Sequence, residues 1–319
     1  MNKKYDVVAL GELLIDFTRF GMSERKNVLY EANPGGAPCN VLAMLTKLNK
    51  NCAFIGKVGD DIFGRMLKDL VEELGINISG LVLDKKVNTT LALVQNFENG
   101  DRDFSFYRNP GADMMLSKED LSLELIENAS IFHFGTLSMT HDMVREATVE
   151  AVARAKKNQC IISFDPNLRP PLWDKLEDAK LAMEWGMKQC DILKISDNEL
   201  EFVTGKTSFD EGVAVLKKLY PNIQMINVTA GAEGSYSYYK EAKVFVPGYK
   251  SENTIDTTGA GDTFCACVLN YVCENGITDL NSVQLEQMLK FANAAASIIT
   301  TRRGALRVMP ELREIEEIV

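Results

Sequence analysis

An acidic side chain set among main-chain amides has more reactive uses than either group alone. The run Asp256-Thr257-Thr258-Gly259-Ala260-Gly261-Asp262-Thr263-Phe264 ends on such an arrangement. The apolar residues at 264–269 follow at once and read as the buried side of a helix. Gly259, Ala260 and Gly261 would present successive N–H groups where that helix begins, the end that carries partial positive charge. Asp262 sits in the same first turn. A carboxylate there repels a phosphate, so the pattern suits simple anion binding poorly. It suits phosphoryl transfer, with Asp262 accepting a hydroxyl proton while the amides hold the transferring oxygens. Gly-rich strand-to-helix turns are often plain connections, but nine specific residues carry more than a lone Gly-x-Gly.

A second cluster lies near the N-terminus. Asn33-Pro34-Gly35-Gly36-Ala37-Pro38-Cys39-Asn40 leads into the apolar run 41–45. The Gly pair lets backbone approach a ligand without Cβ interference, and Asn40 both donates and accepts one turn into a helix. Asp16, after the first strand, can accept from two adjacent hydroxyls. Surfaces of this kind recognise sugars. Two arginines bear on the choice of substrate: Arg108, in the stretch 106–113, and Arg169, in the stretch 164–173. A pair of arginines grips a carboxylate bidentately as readily as it meets a sugar hydroxyl or a phosphate. Gly205-Lys206-Thr207 imitates the end of a Walker A loop, but Leu200 stands where its first glycine is required.

The elements that must position these groups are legible as alternation. Apolar runs at 6–11, 52–57, 130–134, 160–165, 191–195 and 224–228 read as buried strands. Between them Ile62, Met66, Leu67, Leu70, Val71 and Leu74 keep helical spacing, with Gly75 as a stop, and Met143, Val144, Ala147, Ala151, Val152 and Ala155 do the same. Such repetition predicts an α/β fold, a mainly parallel sheet with helices on both faces. Residues 90–95 and 104–107 break the rhythm with two-residue alternation around Asn99-Gly100, a favoured hairpin turn. Residues 17–20 and 28–30 are candidates for the same small sheet. A hairpin inserted over an active site serves as a lid. The segment 229–234 reads as a turn into a hairpin over 235–239, and the alanines around Asn293 read as core.

Composition narrows the partners. The 319-residue chain, 46% hydrophobic and 25% charged, is ordinary for a soluble globular protein. A net charge of −10 argues against nucleic acid or an anionic membrane as the main partner. No stretch reaches the ~18 apolar residues of a membrane span, and Glu12 and Asp16 interrupt the first apolar run before it could act as a signal segment. Seven cysteines without CxxC spacing, and only two histidines, predict reduced thiols in a cytoplasmic protein without a zinc site.

Taken together, the run 256–264 and the segment 33–40, followed by Gly56-Lys57-Val58-Gly59-Asp60-Asp61-Ile62-Phe63-Gly64, resemble the two signatures of the ribokinase-like (PfkB-type) carbohydrate kinases. The stretches 106–113 and 164–173, with His133-Phe134-Gly135, resemble the fructokinase branch, and the resemblance spans the whole chain. It implies a single domain over 1–319, a three-layer sandwich with a β-sheet lid from strands within about 12–34 and 87–113, and ATP as phosphoryl donor with Mg²⁺. It implies Asp262 as general base and residues 259–261 as the anion hole, with Asp16, Gly35, Gly36 and Asn40 on the sugar. Thr229, Gly231 and Gly234 match the family's nucleotide loop, Asn293 lies where the family helix flanks the adenine, and Lys194 joins the nucleotide set. The letters of the family's Asn-x-x-Glu motif fit Asn198-Glu199-Leu200-Glu201, but the register that keeps Thr204-Gly205 at family spacing places it on Ser196 and Glu199, with Ser replacing the family Asn. Glu199 is therefore expected to hold Mg²⁺ through water. A potassium site near Asp256, Thr258 and the 302–304 turn, and a homodimer joined through lid edges, are also implied. The reading is an ATP-dependent fructokinase. The alternatives are a 2-keto-3-deoxygluconate kinase, another kinase of the family acting on a sugar or nucleoside, and a sugar sensor that keeps the fold without the reaction.

Overall fold

The computed structural model describes residues 3–96, 102–249 and 253–319. The described elements, in chain order, begin with β1 (Tyr5–Leu10), β2 (Leu14–Met22), β3 (Val28–Gly35), α1 (Ala37–Lys47), β4 (Cys52–Gly59), α2 (Ile62–Glu73), β5 (Asn77–Asp84), β6 (Leu91–Asn96) and β7 (Arg102–Tyr107). The middle of the chain supplies α3 (Leu123–Glu127), β8 (Ala129–Gly135), α4 (Asp142–Lys157), β9 (Ile161–Asp165), α5 (Leu176–Gln189), β10 (Ile192–Ser196), α6 (Asp197–Thr204) and α7 (Phe209–Leu219). Then follow β11 (Met225–Thr229), β12 (Gly234–Tyr239), β13 (Ala242–Pro247), α8 (Ala260–Asn275), α9 (Ser282–Ile299) and α10 (Leu312–Glu316). The six strands expected from buried apolar runs are all present, with ends within two residues of those expected.

Nine strands form one sheet in the order β13-β12-β11-β10-β9-β8-β1-β4-β5. From β5 to β11 every pairing is parallel, and β12 and β13 add an antiparallel edge. Side chains alternate between its faces. Val7 and Ala9 of β1 join one core cluster with residues of α1, α2, α8 and α9, while Val8 and Leu10 join a second with residues of α4 and α5. A sheet covered on both sides reads as continuous apolar runs, which is why these strands were visible in the sequence. Helix faces were less so: Leu67, Leu70 and Val71 of α2 are buried, but Ile62 and Met66, which share the apolar spacing, face solvent.

Residues 305–315 complete the first of these clusters. Ala305, Leu306, Met309 and Ile315 are buried in it, and the Thr263 hydroxyl in the first turn of α8 donates to the Met309 sulfur at 3.4 Å. Ala305 lies so close to Gly259 that an added Cβ there would come within 3.1 Å of it.

Four strands form a separate small sheet, β3-β2-β6-β7, in which only β2 and β6 run parallel. The expected strands at 17–20 and 28–30 are the middle of β2 and the start of β3. The Asn99-Gly100 turn expected between β6 and β7 lies outside the described residues. Asp16 belongs to β2 itself, opposite Asn33 of β3, so one presumed sugar ligand sits on the small sheet and not on the large one.

Candidate active site

A cavity of about 520 Å³ opens at the carboxyl ends of β1, β8, β9 and β10, beneath the small sheet. Open parallel sheets bind ligands at this end of their strands. The N-termini of α1 and α8 face it as well, and both are shaped by glycine. Gly259 caps α8 at φ 80°, in the left-handed region, without a side-chain cap. Gly36 caps α1 at φ 136°, where any Cβ would press on the Glu12 carbonyl oxygen at 2.3 Å. Main chain thus lines the cavity where side chains would fill it.

Asp262 stands in the first turn of α8, 7% exposed, on the cavity wall. The Asn40 amide donates to its Oδ2 at 2.8 Å and the Asn167 amide to its Oδ1 at 3.0 Å. Burial pushes its pKa upward, while the Asn40 bond, Lys194, Arg169 and the Asn167 bond oppose the shift. Each carboxylate oxygen keeps a lone pair for a substrate hydroxyl. Of the three amides expected to cradle an anion, that of Ala260 donates to the Thr257 carbonyl at 3.3 Å, and Ala260 does not line the cavity. Gly259 and Gly261 do line it.

Behind Asp262 lies a buried ion pair. Lys194 Nζ is 3.0 Å from Asp165 Oδ2, with side chains 7% and 3% exposed. Burial alone would neutralise the ammonium, but Asp165, Glu199 and Asp262 outweigh it and raise the Lys194 pKa. Lys194 therefore carries a fixed positive charge on the cavity wall. Gly261 is what lets it approach: a Cβ there would lie 3.0 Å from Nζ.

The sugar candidates converge from the other side. Asp16 lines the cavity, and its Oδ2 would be 2.7 Å from a Cβ at Gly35, so glycine opens the strand to it. Burial pushes Asp16 up to about 6, with Arg169 opposing and Asp256 adding. Arg169 is exposed at the cavity mouth and donates to the Leu168 carbonyl at 3.2 Å. Arg108, expected beside the sugar, is elsewhere. Its guanidinium is bonded to Asp113, Thr140 and the Leu137 carbonyl, and it is not part of the cavity wall.

The remaining candidates divide in the same way. Glu199 lines the cavity but is no solvated helix-start carboxylate: its Oε1 accepts from the Leu168 amide at 2.7 Å and its Oε2 from the Ser196 amide at 2.8 Å. Ser196 returns the bond and caps α6. Asp256 lines the cavity, its Oδ1 taking the Thr258 amide at 2.9 Å and hydroxyl at 2.7 Å. Thr229, Gly231 and Gly234 form the tight turn from β11 into β12, outside the cavity. Gly234 at φ 123° admits no side chain, because a Cβ would meet the Val246 carbonyl oxygen at 2.2 Å. Asn293 is spent on structure: it accepts from the Ser235 hydroxyl at 2.8 Å and donates to the Val246 carbonyl at 3.0 Å, tying α9 to the hairpin.

Two positions on the cavity wall escaped the sequence reading. Asn167, which orients Asp262, adopts φ 45° after Pro166, and Asp-Pro-Asn at a strand end was the available sign of a turn tolerant of the left-handed region. Glu12 accepts the Ala37 amide at 2.8 Å, capping α1 where Gly36 offers no side chain, and burial pushes it up to about 7. Nothing in the sequence distinguished Glu12 from a surface residue.

The pfkB family carbohydrate kinase model matches residues 4–312. Fructokinase-2 of Oryza sativa subsp. japonica is 40% identical over 315 residues, covering 98% of this chain and 93% of its own length. The fructokinase of Xylella fastidiosa with bound ATP superimposes with a TM-score of 0.89 at 30% identity, covering 98% of both chains. A double mutant of the fructokinase of Vibrio cholerae, solved with fructose, ADP and a potassium ion, gives 0.86 at 26% identity, covering 100% of this chain and 99% of that one.

Proposed function

The chain belongs to the pfkB family of carbohydrate kinases, and from that premise we propose that it transfers the γ-phosphoryl group of ATP to the 6-hydroxyl of D-fructose. The observation that carries the proposal is Asp262, buried at the start of a helix, held by two amides and open to the cavity opposite Asp16. We take the chain as one catalytic domain whose small sheet closes over the sugar.

In this reading fructose lies between Asp16 and Gly35 on the small sheet and Asn40 and Asp262 below it. The 6-hydroxyl gives its proton to Asp262 as its oxygen bonds to the γ-phosphorus and the bond to the ADP oxygen breaks. Asn40 and Asn167 fix both carboxylate oxygens, so Asp262 meets the hydroxyl in one orientation. The amides at the α8 N-terminus and the ammonium of Lys194 face the negative charge spread over the phosphoryl oxygens. Closure excludes water, the competing acceptor. Thr229, Gly231 and Gly234 carry the nucleotide outside the cavity, with Asn293 acting by holding their hairpin against α9.

Magnesium bound with ATP withdraws charge from the phosphates. Both Glu199 oxygens already accept main-chain amides, which favours contact with the metal through water and not direct ligation. Asp256 and Thr258 fit a potassium ion behind the anion hole: the carboxylate is already turned inward, accepting from Thr258 and from the Gly304 amide at 3.4 Å. Buried thiols suit a reducing, cytoplasmic setting. Phe20, Met22, Val28, Leu29 and Tyr30 are exposed on β2 and the edge strand β3, on both faces of the small sheet, and this apolar edge supports a homodimer joined there.

Arg169, with no carboxylate at ion-pair distance among the described residues, supports a second reading in which the acceptor is a sugar acid such as 2-keto-3-deoxygluconate. Release of ADP by the purified protein with fructose, ribose, 2-keto-3-deoxygluconate or adenosine separates the two. Fructose is expected to give the highest kcat/KM. Turnover confined to another acceptor would end the fructose assignment, and turnover with none would favour a sensor.

A further inference from the structure

We infer that Asp113 sets the charge selectivity of the acceptor site, by holding Arg108 in an ion pair behind the cavity wall and so denying a carboxylate-bearing sugar a second arginine. The inference rests on the assignment of a neutral sugar as acceptor. It explains why two arginines that the sequence places beside the substrate have opposite fates.

Arg108 Nε and Nη2 both donate to Asp113 Oδ2, at 2.8 and 2.6 Å, and the two side chains are 3% and 2% exposed. The other Asp113 oxygen accepts from the Thr90 hydroxyl at the root of β6. Nη1 reaches the Thr140 hydroxyl at 2.9 Å and Nη2 the Leu137 carbonyl at 3.1 Å. Gly111 is required for this closure, since a Cβ there would strike the Thr90 hydroxyl at 1.8 Å and lie 2.8 Å from Asp113. Leu137 itself lines the cavity, so the guanidinium sits one residue behind the wall. Glu12, also on that wall, feels the charges of both partners.

The charges that do face the cavity are unbalanced. Asp16, Glu199, Asp256 and Asp262 line it, with Glu12 pushed by burial toward its neutral form, against Arg169 and Lys194, and Lys194 is already paired with Asp165. A neutral ketose loses nothing in such a field. A sugar carboxylate meets like charge with Arg169 alone to offset it, and like-charge juxtaposition is an effective means of rejecting a wrong ligand. A guanidinium freed from Asp113 would shift that balance at the Leu137 wall.

Asp113→Asn tests this directly. The ratio of kcat/KM for 2-keto-3-deoxygluconate to that for fructose is expected to rise on the order of tenfold, and inhibition of fructose phosphorylation by the sugar acid to strengthen. Arg108→Gln, which removes the positive charge and leaves Asp113, is expected to weaken that inhibition and keeps the test open should Asp113→Asn fail to fold. Opposite movements of the two variants are what a mere structural brace would not produce. Equal losses for both acceptors with no change in the ratio would overturn the inference, as would a wild-type preference for the sugar acid. If the wild type prefers a different uncharged sugar, the fructose assignment falls but the same ratio, taken against that sugar, still tests Asp113.

Discussion

The nine-stranded sheet sends alternate residues of β1 into two different cores, whereas the four-stranded sheet turns Phe20, Met22, Leu29 and Tyr30 toward solvent. The two also divide the chemistry. Asp262, Asn40, Asn167 and the Lys194–Asp165 pair rest on the first and its helices; Asp16 and Gly35 rest on the second. A reacting acid demands fixed geometry, and a doubly covered frame supplies it. A recognition surface that must admit its ligand is drawn from the less stable part of a structure. Losses on the large sheet should therefore appear in kcat or in stability, and losses on the small sheet in KM.

The largest effect should follow Asp262→Asn, with kcat reduced about 10²–10⁴-fold and KM for fructose little changed; steady-state kinetics with fructose would check it, and near wild-type turnover would remove Asp262 from the reaction. Next comes Lys194→Met, which leaves Asp165 buried without its partner and should cost about 3–5 kcal/mol of stability, read from denaturant unfolding. Asp16→Asn should raise KM for fructose by about 10–100-fold, the loss of charge-assisted bonds to hydroxyls, with kcat reduced far less. If kcat fell equally, the division between the sheets would not hold. The smallest effect is expected from Leu29→Asp, which should shift the proposed dimer to monomer in sedimentation, and a wild type that sediments as a monomer would end that proposal.

The raised pKa of Asp16 sharpens the comparison further, because its two consequences oppose each other. The carboxyl moves from 3.8 to about 6, so the folded protein binds that proton more tightly than the unfolded chain does. The associated stabilisation is fully present below pH 3.8 and is lost as pH rises through about 6. Sugar binding needs the ionised form, so KM for fructose should rise as pH falls below 6. Asp16→Asn should accordingly melt a few degrees higher than wild type at pH 8 while binding fructose worse, a sign that thermal melts of the free protein would check.

What the sequence disclosed follows from the same contrast. Buried parallel strands need unbroken apolar runs, so β1, β4, β8, β9, β10 and β11 were all legible, and so was the Gly-rich turn into α8, because its backbone admits few other residues. The fate of Arg108 was not legible. It depends on Asp113, Thr140 and Leu137 meeting it in space, and a guanidinium's sequence neighbours do not say whether it faces a ligand or a carboxylate. Asn293 was hidden for the same reason, since its partners lie 46 to 58 residues away. Glu12 and Asn167 act through Ala37 and Asp262, contacts that only the folded chain creates.

The contact of Thr263 with Met309, and of Gly259 with Ala305, bears on how the enzyme is born. During synthesis the acid-bearing turn emerges from the ribosome 46 residues before the segment it packs against. A nascent chain can thus contain all nine strands of its large sheet and still lack a competent centre, so activity should arrive late. For handling the protein, the corollary is that deletions reaching back beyond Ile315 remove buried core together with the support of the acid-bearing turn, so turnover and stability should fall together.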